Sequence, residues 1–473
     1  MRRALVFLVA LLTVAGCAVG PDYERPGLAV PESFRGEISA SEAESFANLP
    51  WFEVFRDAEL EVLIREALGR NLDLRLALAR VEEARAGARF ARGAYGPDIR
   101  GVLNTTPAPG AGSNDANYTA GLALNWELDL FGKLRRADEA ARASLLASED
   151  VARGVMAALV ARVATTWLTL RELDQQVEII RRTIRSQEES LALVRSLSRE
   201  GVASGAEEQQ AIAQLAATRA ALPLAEQQVI AAENALSVLL GRYPTSISRQ
   251  PLAGGMLLPE PSAVPLGLPA ELLERRPDVR AAEQNLRAAT ARVGVAVANR
   301  FPVPTIGVTA LVGRTSTELG DLFSGDSSSL NSWGPVADLP ILNFGRNQAQ
   351  VEIARAQTRQ ALVGYRATVL QAAREVSDAL VGYEKAAEVI VANEVFARAA
   401  SESLRLARLR FRSGVISYLE VLDAERQLFS AELNLARSQL SRLLSLVTLY
   451  RALGGGWSDE VLAAALEAAE ATD

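Results

Sequence analysis

The chain has 473 residues, with 50 Lys plus Arg against 57 Asp plus Glu and a formal net charge of -7. That balance argues against a nucleic-acid binder, whose domains are normally basic. It contains no histidine and one cysteine, so the usual general base, the usual activating partner of a Ser or Cys nucleophile and the commonest zinc ligand are missing, and only carboxylate chemistry is left to an enzyme reading.

Residues 1–16 read as a signal peptide: Arg2 and Arg3, an apolar run from Ala4 to Leu12, then small residues. Val14-Ala15-Gly16 place small side chains directly before Cys17, the layout that lets a thiol be acylated and become the new N-terminus. The bland alternative is a buried or free cysteine after an ordinary signal. Residue 18 is Ala, not the Asp that commonly retains bacterial lipoproteins at the inner membrane, which favours outer-membrane sorting. An acylated Cys17 leaves no disulfide, so stability rests on packing and assembly. After the signal no uninterrupted apolar stretch reaches the roughly 18 residues of a spanning helix. A membrane would have to be crossed by β-strands.

The chain repeats itself. Leu130-Phe131-Gly132-Lys133 returns as Asn343-Phe344-Gly345-Arg346, an offset of 213. The same offset relates Gly201-Val202, Ser204 and Glu207 to Gly414-Val415, Ser417 and Glu420, and Leu240-Gly241 to Leu453-Gly454. Near the start of each copy the offset is 205, from Asp73, Arg75, Ala77 and Pro97 to Asp278, Arg280, Ala282 and Pro302. The expected organisation after the signal is a lipidated segment at 17–56, repeat 1 at 57–245, a linker at 246–269, repeat 2 at 270–456 and a tail at 457–473. Repeat 1 reads as helix, β-hairpin at about 98–128, long helix, tip at about 199–206 and helix. Repeat 2 reads the same way, with its hairpin at about 305–341 and its tip at about 412–419.

The proline-free runs from Lys133 to Arg199 and from Arg346 to Arg412 predict helices approaching about 100 Å at about 1.5 Å per residue. Val177, Ile180, Ile184, Leu191 and Val194 keep steps of three and four, broken by Gln187. Val369, Ala373, Val376, Leu380, Tyr383, Ala387 and Ile390 hold the period in the second copy. Beyond its turn Leu419, Leu422, Phe429, Leu433, Ala436, Leu440, Leu443 and Val447 do the same, with Arg426 the exception. The many alanines suit a second contact face, as in a curved wall of helices; an ordinary long coiled coil is the alternative. Pro223 is expected to remove one helical hydrogen bond and bend its helix.

Ile99 to Thr106, Tyr118 to Leu128, Thr305 to Gly313 and Ser329 to Ile341 read as strands of nearly bilayer-crossing length. Leu122, Leu124, Trp126 and Leu128 alternate with Ala123, Asn125 and Glu127. Four strands cannot close a barrel and a bilayer leaves open edges unpaired, so several chains must pool strands.

At the turns, Gly201 and Gly414 suit helix ends that need positive φ. Ser204 with Glu207, and Ser417 with Glu420, fit reciprocal capping boxes. Arg410 and Asp423 lie equally far from the centre of the second turn, at one height above its tip, and are placed to pair within one hairpin or across to a neighbouring chain. The bland reading is an exposed salt bridge worth under about 1 kcal/mol. The first copy has Leu197 and Gln210 at those places.

With Cys17-Ala18-Val19-Gly20-Pro21-Asp22-Tyr23, Leu272-Leu273-Glu274-Arg275-Arg276-Pro277-Asp278-Val279-Arg280, the two Phe-Gly motifs, Gly414 through Gln427, and Leu453-Gly454-Gly455-Gly456-Trp457, the chain resembles the outer-membrane efflux protein family, the TolC-like channels, in its lipoprotein branch. The resemblance implies a mixed α and β fold, mostly long helices. It implies a homotrimer whose 12-stranded transmembrane β-barrel is continuous with a 12-helix periplasmic α-barrel, three chains giving four strands each. It also implies a passive exit duct in the outer membrane, lipid-anchored at Cys17, with no catalytic site, cofactor or metal. The implied partners are a periplasmic adaptor, or membrane fusion protein, and an inner-membrane transporter of the proton-driven RND type. Arg410 and Asp423 match a charged pair that holds the periplasmic end shut. Phe411 stands where relatives often carry tyrosine, which puts a hydroxyl-mediated latch contact in doubt. Adaptor contact carries over to Gly201, Val202, Ser204, Gly414, Val415 and Ser417. The competing reading is a periplasmic coiled-coil lipoprotein serving as a spacer. It accounts for Cys17 and the heptads but not for four bilayer-length strands.

Overall fold

The computed structural model describes residues 18–27, 57–107, 116–251, 272–300, 303–324 and 327–470. The signal, Cys17, most of the 17–56 segment and most of the linker lie outside them. Asp57 opens α1 (Ala58–Arg70) by accepting the backbone N–H groups of Glu59 and Leu60, and its other oxygen takes the Trp167 indole N–H at 2.8 Å. There follow α2 (Leu72–Gly93), β1 (Asp98–Pro107), β2 (Ala116–Leu128), α3 (Lys133–Arg199) and α4 (Gly205–Leu239). The second copy gives α5 (Leu272–Arg275), α6 (Pro277–Ala298), β3 (Thr305–Ser316), α7 (Asp321–Ser324), β4 (Ser328–Asp338), α8 (Arg346–Arg412) and α9 (Tyr418–Ala452), and α10 (Asp459–Glu470) ends the chain. The two proline-free runs are thus single helices of 67 residues each. Pro223 sits inside α4 without interrupting it.

The chain forms two compact units that do not follow the repeats. One comprises 1–28, 79–150 and 280–368, the other 29–78, 151–279 and 369–473. Each draws on both copies.

The first unit holds a four-stranded antiparallel sheet in the order β1-β2-β3-β4. β4 stops at Asp338, short of the expected Ile341, because Asp338 already faces Thr305, the first residue of β3, and Pro340 has no N–H to continue the ladder. Beside the sheet, the ten described residues after Cys17 run as an extended arm. The Val19 N–H donates to the Phe131 carbonyl at 3.0 Å, the Tyr23 hydroxyl donates to Glu283 at 3.0 Å, and Asp22 pairs with Arg136. The arm crosses α6 backbone on backbone: a Cβ on Gly20 would lie 2.4 Å from Gly294 Cα. That contact gives a reason for the glycine in the Ala18–Tyr23 motif.

In the second unit the heptad residues Val177, Ile180, Leu191, Val194, Val376, Leu380, Leu422, Leu443 and Val447 are buried, whereas Leu419 is exposed and lies off the seam. One stretch of α3 is apolar and long enough, by composition, to cross a membrane, which the absence of an unbroken apolar run did not anticipate. Half of it is buried inside the protein, with Val163, Ala164 and Trp167 at 0% exposure. The repeat survives at atomic level. Asn71 Nδ2 donates to the Leu239 carbonyl at 2.9 Å, and Arg276, one repeat later, donates to the Ala452 carbonyl at 2.9 Å. Arg276 also reaches Asp278 at 2.7 Å and Glu375 at 2.8 Å, so the Arg-Arg-Pro-Asp run is a buried anchor between the middle of α8 and the end of α9.

Candidate functional site

The sheet is one candidate. Side chains directly opposite across the ladders share a face, so the register sorts the strands. One face carries Ile99, Leu103, Leu122, Leu124, Leu128, Ile306, Val308, Val312 and the aromatics Tyr118, Trp126 and Trp333. The other carries Asp98, Arg100, Asn104, Thr119, Asn125, Glu127, Thr309, Thr315 and Ser332 along with Val102, Leu311, Leu330 and Val336, while Thr105, Arg314, Ser316, Ser329 and Asn331 put polar groups on the first face toward its Tyr118 end. Ile99, Leu103, Leu122, Val312 and Trp333 are all exposed. Tyr118 and Trp126, eight residues apart on β2, bracket about 27 Å of strand at about 3.4 Å per residue. The Trp126 indole donates to the Tyr95 carbonyl at 2.9 Å. The outer edges of β1 and β4 pair with no strand among the described residues. An exposed apolar face with aromatic ends, a polar reverse and two open edges is what a fragment of a lipid-embedded barrel presents.

The helical tips are the other candidate, wholly within the second unit. Gly201 (φ 77°) and Gly414 (φ 69°) adopt the left-handed conformation. The following N–H groups reach back five residues, Val202 to the Leu197 carbonyl at 2.8 Å and Val415 to the Arg410 carbonyl at 3.0 Å, closing both long helices in the Schellman manner. At the first tip the capping box is complete: the Glu207 N–H donates to Ser204 Oγ, and Glu207 Oε2 accepts the Ser204 N–H at 2.8 Å.

The second capping box, expected from Ser417 and Glu420, does not form. Ser417 makes no side-chain cap bond, and Glu420 turns to Arg410 at 3.9 Å. The first tip supplies a substitute, since Glu207 Oε1 accepts the Tyr418 N–H at 3.0 Å. One carboxylate therefore serves both helices, and the backbone donors of Ser204 and Tyr418 hold Glu207 below its ordinary pKa. Burial, with the nearby Glu425 charge adding to it, pushes the Tyr418 hydroxyl up.

Of the expected gate residues, Phe411 is buried, its ring 5.6 Å from that of Tyr418 at 57°. Val194, Leu215, Val421 and Leu422 belong to the same buried cluster as the two rings. Arg410 and Asp423 line one groove but do not pair within the chain: Asp423 accepts from Gln427 at 2.6 Å while Arg410 faces Glu420. Val202 and Val415, at equivalent places in the two tips, are 67% and 65% exposed, beside Gly201, Ser204, Gly414 and Ser417.

A polar cluster behind the expected gate residues was not anticipated. Arg408 donates to Glu425 at 2.8 Å, to Ser190 at 3.4 Å and to Ser186, and Ser190 donates to Glu425 at 2.7 Å. Two signals pointed to it. Gln187 is the residue that breaks the α3 heptad, and it is 2% exposed beside this cluster. Arg408 and Glu425 are also equidistant from the centre of the second turn, just as Arg410 and Asp423 are.

The description Outer membrane efflux protein matches residues 63–242 and 268–455. The chain belongs to that family. It is 34% identical over 462 residues to the cation efflux system protein CusC of Escherichia coli O6:H1, covering 96% of this chain and 99% of the relative. It is 36% identical over 463 residues to the outer membrane protein OprJ of Pseudomonas aeruginosa, covering 96% and 95%. Its fold superposes on the open state of the MtrE outer membrane channel of Neisseria gonorrhoeae with a TM-score of 0.82 and 32% identity, covering 93% of this chain and 98% of that one.

Proposed function

We propose that this protein is the outer-membrane channel of a tripartite efflux system, a passive exit duct without catalytic chemistry. Three chains pool their strands into a 12-stranded barrel, four from each, with the polar faces lining the lumen and the apolar faces in lipid. The paired helices of the three chains form a 12-helix periplasmic barrel. Cys17 carries the lipid anchor. The tips at Gly201, Val202, Ser204, Gly414, Val415 and Ser417 receive a periplasmic adaptor, which couples the duct to an inner-membrane transporter of the RND type. Arg410 and Asp423 pair across neighbouring chains to hold the end shut, with Phe411 packed behind them.

The observation that carries this reading is the sheet: one apolar face, one polar face and two open edges, in a member of the outer membrane efflux protein family. Closing such edges within a bilayer requires partner strands. The inter-chain role of Arg410 and Asp423 is supported by their failure to pair within one chain while both line a groove. The coiled-coil spacer leaves the sheet without a purpose.

Electrophoresis of unboiled protein from detergent tests the assembly. A heat-sensitive band at three times the chain mass is expected, and a monomer at every temperature would contradict it. Mass spectrometry of the native N-terminus tests the anchor: an unmodified Cys17 would remove it.

A further inference from the structure

We infer that Arg408 and Glu425 are positioning residues of the periplasmic gate, an inference that rests on the channel reading above. Two residues along a helix turn the side chain by about 200°. Arg408 therefore points inward where Arg410 points outward, and Glu425 stands in the same relation to Asp423. Each helix of the second hairpin carries one outward gate charge and one inward charge, and the inward pair is closed within the chain at 2.8 Å. Glu425 is 3% exposed and Gln187 is 2% exposed, while the Arg408 side chain is half-buried, at 29% exposure.

The cluster joins three helices. Ser186 and Ser190 belong to α3, Arg408 to α8 and Glu425 to α9, so the pair fixes the rotation of α8 and α9 against the first hairpin. That rotation decides where Arg410 and Asp423 point. The cluster is also costly. Arg408 Nε, Glu425 Oε2 and both amide atoms of Gln187 lack a hydrogen-bond partner among the described residues, and they stand at a cavity of about 390 Å³. A buried ion pair is often no more stabilising than well-packed apolar side chains of similar size, whereas loss of one partner leaves an uncompensated charge. An arrangement of this kind holds one rotation while it is complete and releases it when either half is lost. A tip that opens by turning α8 and α9 from this arrangement would separate Arg408 from Ser186 and Ser190, so the cluster ties the second hairpin to the first inside each chain, in addition to contacts between chains.

The test is single-channel recording of purified protein in planar bilayers, with hydrogen exchange of residues 418–427 measured on the same preparations. Arg408→Ala and Glu425→Ala are each expected to raise the open fraction about tenfold, within what loss of a buried ion-pair partner allows, and to speed exchange at the start of α9. Should these fail to assemble, Glu425→Gln keeps the Ser190 hydrogen bond, removes the charge and is expected to act in the same direction. The double variant Arg408→Met with Glu425→Leu leaves no uncompensated charge but also removes the tie to Ser186 and Ser190, and is expected to keep the raised open fraction. A return to the wild-type value would show that the single variants act through stranded charge alone and would overturn the inference. A merely structural role would lower the yield of trimers without changing conductance per trimer. Assembled single variants that conduct and exchange like wild type, while Asp423→Ala opens the channel, would overturn this inference and leave the channel reading intact. Wild-type protein that forms no pore would overturn both.

Discussion

Glu207 Oε1 accepts the backbone N–H of Tyr418 at 3.0 Å, while its Oε2 accepts that of Ser204 at 2.8 Å. The carboxylate that closes the capping box of α4 thus also caps the first turn of α9, 211 residues away. This explains how the second tip stays ordered although its own Ser417 makes no cap bond.

Glu207→Ala should therefore loosen both tips. Each lost cap is worth about 1 kcal/mol, and Glu207→Gln, with one acceptor oxygen, should retain about half the effect. Proteolysis at the tips measures it. Equal cleavage of the Gln variant and wild type would show that the second acceptor bond contributes nothing.

The same contact predicts a pH dependence. The folded-state pKa of Glu207 lies below its ordinary value of 4.5, so its contribution is fully present above that value and is lost as pH falls through the lower, folded value. Hydrogen exchange of 204–208 and 418–422 should rise together in acid. Exchange that rises at one tip alone would contradict a shared carboxylate.

Gly121 and Gly313 face each other across β2 and β3, and a Cβ on Gly313 would lie 2.3 Å from the Ala120 carbonyl oxygen and 2.7 Å from Gly121 Cα. Strands this close leave no room for a side chain on the polar face. Gly313→Val should cost about 1–3 kcal/mol per chain by overpacking and reduce the unboiled oligomer. An oligomer of unchanged heat resistance would show that the sheet relaxes freely there.

Arg276 is almost wholly buried among Asp278, Glu375 and the Ala452 carbonyl. Arg276→Ala leaves Glu375 with the Gln371 amide as its donor and should cost about 1–3 kcal/mol, read by denaturant unfolding. Arg276→Lys should recover little, because an ammonium does not match the fork that reaches three acceptors. Full recovery by lysine would reduce the anchor to a simple charge.

Asp423→Ala is expected to raise single-channel conductance, since the aspartate makes no salt bridge in its own chain among the described residues and is available to a neighbour. Unchanged conductance would remove the pair with Arg410 from the gate.

Much of this fold was legible in the sequence. The absence of proline marks the two long helices, and glycines with positive φ mark their ends, because both act through the local backbone. The end of β4 was less legible, since it is set by where β3 begins as well as by Pro340. The failed second capping box was invisible for a related reason: Ser417 and Glu420 repeat Ser204 and Glu207, but Arg410 competes for Glu420 and a distant carboxylate takes over. Gln187 and Arg426 broke the heptad for physical cause. Gln187 lies in the buried polar cluster, and Arg426 donates to Gln214 on α4 at 2.7 Å.

Electron microscopy of the purified full chain in detergent tests the central claim most directly. A three-fold hollow particle, with a barrel in the detergent belt and a long helical tube beyond it, is the expected result. Slender solid rods or compact monomers would contradict the channel and favour the tethered spacer.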